Sequence, residues 1–473
     1  MSPATLVFAA VLQSASPGAP AEFPRGQVIE RVVVKGSPGQ SYALYLPSGY
    51  TPEKLWPVLY MLDARGRALF PIELFRPAAE EFGWILVSSY NSASDTKDDP
   101  NSAAMTAMWN DAVQRFSIDG RRVYVTGFSG GGRAAVGVAY ALPGRIAGVI
   151  GAGAGFEDAQ ASIKAVPFAY FGTVGDRDMN YYEMRSLEEK LEKVKAAHRI
   201  AYFEGPHAWM PPELARESVA WMELQAMKAG TRPKDPAKIA ALQSQARARA
   251  ADLEARGRPA DAWAARAHAA EDFRGLARVE EVEDDEKKAA ALGSLPEVKT
   301  AVKDARRRDA RDEATLRTIN TRLRNALAQP DPPLPTVLAA ELGIPTLRKK
   351  AASDTAEERL SAERILANLR AATSFYLPQE MLDRRDPTRA RALLSVAAEI
   401  DPDNPLVYYN LACYAARAGE ASRAIADLER AVARGFRRFD MIDEDADFAP
   451  IRGDAAFQKW LAAARAAPPP PGS

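Results

Sequence analysis

The sequence predicts an α/β domain with a doubly wound, mostly parallel sheet, followed by an all-α region. Of the 30 glycines, 22 fall in residues 1–230 and 8 in the other 243. Strand–turn–helix units need glycine at their turns, whereas helical arrays do not. In the first half, short apolar runs alternate with helical patterns, which is typical of a parallel sheet covered by helices on both faces.

The elements of this first domain follow one another in a regular order. The first strands connect without helices, so we expect them at an antiparallel edge of the sheet. Strands are predicted at 28–34, 42–46, 58–62, 84–89, 123–126, 147–152, 168–172 and 199–203. Helices are predicted at 72–82, 102–116, 131–142, 182–197 and 211–228.

Composition divides the chain into four segments. Residues 1–22 carry an apolar run and then small residues, which predicts a signal peptide and export to the periplasm or medium. No Lys or Arg precedes Arg25, so a disordered tail on a cytoplasmic protein is the alternative. The α/β domain is predicted at 23–230 and a helical region at 231–369, where 303–327 has a coiled coil as its alternative.

The fourth segment, 370–473, contains a pattern that recurs after 34 residues. The recurring pairs are Ala390 and Ala424, Leu394 and Leu428, and Ala397 and Ala431. The pattern resembles the tetratricopeptide repeat, whose paired helices approach closely through small residues, with ordinary helical hairpins as the alternative. The resemblance implies a protein partner for this region.

The charge balance and the cysteine count exclude several kinds of partner, cross-link and metal site. Basic and acidic residues number 62 each, so no nucleic acid or anionic membrane partner is expected. The single cysteine, Cys413, excludes an internal disulfide and a cysteine-rich metal site.

The segment "VTGFSGGGRAA" contains the candidate nucleophile. Gly127 to Gly131 fit the pattern G-x-S-x-G between a predicted strand and a predicted helix, which is the context that the motif requires. Ser129 would then stand exposed at the carboxyl end of the sheet. A simple glycine-rich turn is the alternative.

The candidate base is found by elimination among three histidines. His268 lies in the helical region, and His198 precedes the last strand at the end of a helix. His207 follows that strand beside Trp209, about eighty residues after the serine, where a histidine that activates a serine is expected. The loop after the seventh strand offers the orienting acid: we favour Asp178, with Asp176 as the alternative.

Backbone N–H groups are predicted to bind the oxyanion. Gly130 supplies one, and Ala64 or Arg65 supplies the second from the loop after the third strand. Asp63 would repel an oxyanion, so its side chain must point away, towards Arg65 or Arg67. The side chains predicted to contact substrate are Asn91, Phe128 and Trp209, with a surface loop as the alternative for Asn91.

The motifs "GFSGG", "GDRDMNY" and "GPHAWMP" occur in this order within residues 28–228. They resemble the α/β-hydrolase superfamily, and within it the feruloyl esterases, polyhydroxybutyrate depolymerases and dienelactone hydrolases. The resemblance implies Ser129 as nucleophile, Asp178 as acid and His207 as base. Leu62-Asp63-Ala64 departs from the His-Gly that many of these enzymes carry after the third strand.

These observations predict a serine hydrolase that cleaves a carboxylic ester through an acyl-enzyme, with no metal or cofactor. The substrate would be a small or oligomeric ester. A peptidase or amidase would use the same residues. The alternative from another class is a binding or scaffold protein that works through its helical region.

Overall fold

The computed structural model describes residues 23–94, 96, 98–157, 163–330 and 333–467. The predicted signal peptide, residues 1–22, lies outside this description. The described chain divides into two compact units, of which the first ends at Arg307 and the second begins at Arg308. Within these ranges, no helix combines the length and the apolar character that a bilayer span requires.

An eight-stranded sheet forms the centre of the first unit. Its strands are β1 Val28–Val34, β2 Ser37–Tyr45, β3 Trp56–Leu62, β4 Ile85–Ser89, β5 Ile118–Phe128, β6 Gly148–Ala152, β7 Ala169–Gly175 and β8 His198–Phe203. They lie in the order β1-β2-β4-β3-β5-β6-β7-β8. The pairs β1–β2 and β2–β4 are antiparallel, and the other neighbouring pairs are parallel. This is the mostly parallel sheet of an α/β-hydrolase fold, so the predicted fold class is confirmed.

Helices cover both faces of this sheet, which explains why β3, β4, β6 and β7 are buried at every residue. The helices are α1 Leu69–Phe82, α2 Pro100–Arg115, α3 Gly130–Ala141, α4 Tyr181–Lys193 and α5 Pro212–Lys228. Side chains of α2, α3 and α4 fill one core, and side chains of α1 and α5 fill the other. The parallel strands therefore end together at one edge of the sheet, where loops bring their side chains close.

Three further helices belong to the first unit: α6 Pro236–Ala255, α7 Pro259–Phe273 and α8 Val279–Ser294. Ile239, Phe273 and Val282 are buried in the same core as α5. The division between the units thus lies beyond residue 230, where composition places the domain boundary. The Gly- and Pro-containing segment at 229–235 connects α5 and α6, which share this core.

The second unit is helical throughout its described part, which confirms the all-α class. The division falls within α9, Pro296–Ala328. The helices that follow are α10 Pro335–Glu341, α11 Ile344–Ala351, α12 Ala356–Ala371, α13 Leu377–Asp383, α14 Pro387–Ile400, α15 Pro405–Arg417, α16 Ala421–Ala433, α17 Phe439–Glu444 and α18 Ala455–Ala466. All six residues of the 34-residue pattern are fully buried on α14 and α16. The tetratricopeptide assignment itself stays a prediction.

Candidate active site

Ser129 occupies a tight turn between β5, which ends at Phe128, and α3, which begins at Gly130. Its backbone has φ 54° and ψ −123°, a conformation that costs free energy for a residue with a side chain. Three backbone hydrogen bonds hold it there: Ser129 N–H donates to the carbonyl of Ala152 (2.8 Å), and its own carbonyl accepts from the N–H groups of Gly132 (2.9 Å) and Arg133 (3.2 Å). The turn therefore fixes the serine where strand and helix meet.

The glycines on either side of Ser129 are required by close backbone contacts. A Cβ at Gly127 would lie 2.1 Å from the carbonyl oxygen of Gly131, and a Cβ at Gly131 would lie 2.0 Å from that of Leu62. Both atoms belong to the backbone, so neither clash can be relieved by rotating a side chain.

The G131A variant is expected to lose activity and about 1–3 kcal/mol of unfolding free energy, because the added methyl group displaces the turn. Gly137 is a matched control in the same helix, since a Cβ there would meet nothing within 4 Å. G137A should be neutral or stabilise by up to about 1 kcal/mol, because alanine is the better helix former. Urea unfolding and ester hydrolysis measure both effects, and equal losses in the two variants would contradict this account of the turn.

His207 lies in the loop after β8 and faces Ser129. Its Nε2 is 3.0 Å from Ser129 Oγ, and its Nδ1 is 2.9 Å from each carboxylate oxygen of Asp178. Asp178 is buried in the loop after β7 and also accepts a hydrogen bond from Asn180 N–H (2.8 Å). The structure thus brings together Ser129, His207 and Asp178 in the arrangement of a nucleophile, a base and an orienting acid.

Asp176, the alternative acid, lies elsewhere. Its Oδ1 accepts a hydrogen bond from Gly205 N–H (3.0 Å), and Arg177 lies 3.5 Å away. Asp176 therefore links the loop after β7 to the loop after β8. The acid that contacts His207 is Asp178, and the alternative assignment to Asp176 is wrong.

The other two histidines have different surroundings. His198 Nδ1 hydrogen bonds with the carbonyl of Ala196 at the start of β8 (2.9 Å). His268 belongs to α7, and burial together with the charge of Arg199 holds its pKa well below the ordinary value. His207 is the histidine that reaches the serine.

The loop after β3 carries the second predicted oxyanion donor. Arg65 N–H donates to Asp63 Oδ1 (2.9 Å), so it is not available to an oxyanion. The prediction of Arg65 as an oxyanion donor is therefore wrong. Within the described part of the chain, the N–H groups of Ala64 and Gly130 donate no hydrogen bond. Ala64 is therefore the remaining candidate beside Gly130.

The Asp63 side chain is fully buried and binds Arg67, which is one of the two arginines towards which it was predicted to point. Burial by itself raises the pKa of Asp63, but hydrogen bonds from Arg67, Trp209 and the backbone lower it, and the net pKa lies below the usual range. The carboxylate is therefore ionised and neutralised by a cation.

The three predicted substrate contacts differ in position. Phe128 places its ring 4.7 Å from that of His207 and 5.9 Å from that of Trp209. The prediction that Asn91 contacts substrate is wrong, because its Oδ1 accepts from Ser41 N–H and its Nδ2 donates to the carbonyl of Gly39, both at 2.9 Å. Its amide binds two backbone groups of β2 rather than facing the serine.

Sequence reasoning missed two groups around this site. Arg133, on the helix after the nucleophile, forms a bidentate ion pair with Glu183 on α4, and Glu183 also accepts from Gly155 N–H. Asn180 Nδ2 donates to the carbonyl of Gly153 (2.7 Å). Neither pair has a motif in the sequence, because each joins residues that are distant along the chain.

One group of possible metal ligands occurs among the described residues, in the second unit. Ligand atoms of Cys413, Asp445 and Asp447 lie within 4.8 Å of one another. Burial and the nearby carboxylates raise the pKa of the Cys413 thiol, and Asp445 already accepts from Tyr409 Oη and Asp447 N–H. These bonds hold the Asp445 carboxylate in place within the second unit.

Comparison with solved structures gives distant matches that each cover less than half of this chain. A ferulic acid esterase is 14% identical, with a TM-score of 0.34, over 41% of this chain and 97% of its own. An S-formylglutathione hydrolase from Staphylococcus aureus is 15% identical, with a TM-score of 0.35, over 42% and 98%. A hyperthermophilic esterase from Pyrobaculum calidifontis is 16% identical, with a TM-score of 0.33, over 43% and 85%.

No protein-family model and no curated protein matches the sequence. The assignment of the fold rests on the strand order and pairing of this chain itself.

Proposed function

We propose that the first unit is a serine hydrolase that cleaves a carboxylic ester. The observation that carries the proposal is the hydrogen-bonded series from Ser129 Oγ through His207 to the buried Asp178, at distances of 3.0 and 2.9 Å. A serine hydroxyl is a weak nucleophile at neutral pH unless a base removes its proton. This geometry supplies the base and its orienting acid.

In the proposed reaction, Ser129 Oγ attacks the ester carbonyl and its proton passes to His207 Nε2. The bond to the alcohol breaks, the alcohol leaves with that proton, and an acyl-enzyme remains. Water then attacks the acyl group after giving a proton to Nε2, and Ser129 recovers this proton when the acid departs. The N–H groups of Gly130 and Ala64 stabilise the negative oxygen that forms in each half-reaction.

Burst kinetics with p-nitrophenyl acetate test the proposal, with p-nitroacetanilide as the amide counterpart. We expect a burst of nitrophenol equal to the concentration of active protein, then slower turnover, and little reaction with the anilide. Faster release from the anilide would favour an amidase or peptidase. Absence of both reactions would overturn the proposal and favour a binding protein that works through its helical unit.

A further inference from the structure

We infer that Asp63 is a positioning residue that couples the loop carrying Ala64 to the loop carrying His207. The inference rests on the proposed function, because it concerns how that site is held in a reactive geometry. It starts from a buried carboxylate that the proposed reaction does not itself use.

The Asp63 carboxylate organises the turn after β3. Its Oδ1 accepts from the N–H groups of Arg65 (2.9 Å) and Arg67 (3.3 Å), and the Arg67 side chain donates to both carboxylate oxygens (2.9 and 2.8 Å). A carboxylate that receives several hydrogen bonds, with a cation among the donors, is held firmly in one orientation. The turn therefore closes around this side chain.

The backbone of Asp63 fixes the peptide group that contains the Ala64 N–H. The Asp63 carbonyl accepts from Ser92 Oγ (2.8 Å) and from Gly66 N–H (3.1 Å). Because a peptide group is planar, a carbonyl held in this way also fixes the direction of the N–H on its other side. Ser92, in the loop after β4, thus helps to aim the proposed oxyanion donor.

Trp209 connects this turn to the catalytic histidine. It follows His207 by two residues, and its Nε1 donates to Asp63 Oδ2 (2.8 Å). Its ring contacts Phe75 and Phe128 at centroid distances of 6.3 and 5.9 Å. The Asp63 carboxylate therefore fixes the loop after β3 relative to the loop after β8. A shift of either loop would alter the distance between His207 and the oxyanion donors.

The test compares W209F with W221F. Trp221 is a matched control, because its Nε1 donates to Asp272 over the same 2.8 Å and it is equally buried, at 4% exposure against 6% for Trp209. Each substitution removes one indole N–H and keeps an aromatic ring. We expect similar losses of the urea midpoint, at least a tenfold lower kcat for p-nitrophenyl acetate in W209F, and less than a twofold change in W221F.

The division of the effect between kcat and KM identifies the role. A positioning residue lowers kcat and leaves KM within about twofold, whereas loss of a substrate contact raises KM. S92A provides a second variant that should also lower kcat, through the Ala64 peptide. Equal kcat values in W209F and W221F, or an effect confined to KM, would overturn the inference about Asp63. The proposed function would still stand in that case, provided that the wild-type protein hydrolyses the ester normally. An inactive wild-type protein would overturn both the inference and the proposed function.

Discussion

Replacement of Ser129 by alanine is expected to lower kcat for p-nitrophenyl acetate by about 10³- to 10⁶-fold, the range found when a catalytic nucleophile is removed from such an arrangement. Alanine lacks the oxygen that attacks the carbonyl, so only the residual hydrolysis that the oxyanion donors and substrate binding support remains. The fold should persist, because the turn is held by the backbone of Ser129 and by the neighbouring glycines. Steady-state kinetics and thermal unfolding measure the two expectations together.

S88A is the matched control for this variant. Ser88 lies buried on β4, and its hydroxyl has no hydrogen-bond partner among the described residues. Its removal deletes the same atom from the same domain without touching the site, so kcat should stay within about twofold. A comparable loss in S88A, or wild-type turnover in S129A, would remove Ser129 from the reaction.

The substitution of Asp178 by asparagine is expected to lower kcat by about 10⁴-fold, the effect of the equivalent change in a serine–histidine–aspartate site. Asparagine keeps the size of the side chain but no longer stabilises the imidazolium that forms when His207 takes the serine proton. It can also present an N–H to His207 Nδ1, which favours the wrong tautomer. The variant should still fold and bind substrate, so the loss should appear in kcat.

D176N makes the same chemical change two residues earlier. Asp176 accepts a backbone N–H from Gly205 through Oδ1, and asparagine can accept this bond as well. We therefore expect a loss of less than about tenfold, at the level of a surface ion pair with Arg177. If D176N inactivated the protein and D178N did not, the assignment of the acid would be wrong.

Local patterns predicted the architecture of the first unit and the position of the candidate nucleophile. Each predicted strand overlaps an observed one, because the apolar runs are continuous wherever both faces of the sheet are covered. Ser129 could be predicted because the turn requires glycine at positions 127 and 131. Two glycines at this spacing around a serine are recognisable in the sequence.

Other features could not be predicted, because they depend on contacts between distant residues. The bond between Asp63 and Trp209 joins side chains that are 146 residues apart, and no local pattern indicates it. Asn91 shows the converse, because a polar residue that follows a strand can bind the backbone of a neighbouring strand as readily as a substrate. The packing of α6 to α8 into the core of the first unit likewise depends on contacts between distant segments.

Covalent labelling by a fluorophosphonate tests the central claim most directly. Such a probe reacts with a serine that is activated by a neighbouring base, and mass spectrometry of the digested protein locates the adduct. We predict one adduct per chain, on Ser129, with no labelling of S129A and much slower labelling of D178N than of D176N. Absence of an adduct on the wild-type protein, or an adduct that forms equally on S129A, would contradict the assignment of Ser129 as an activated nucleophile.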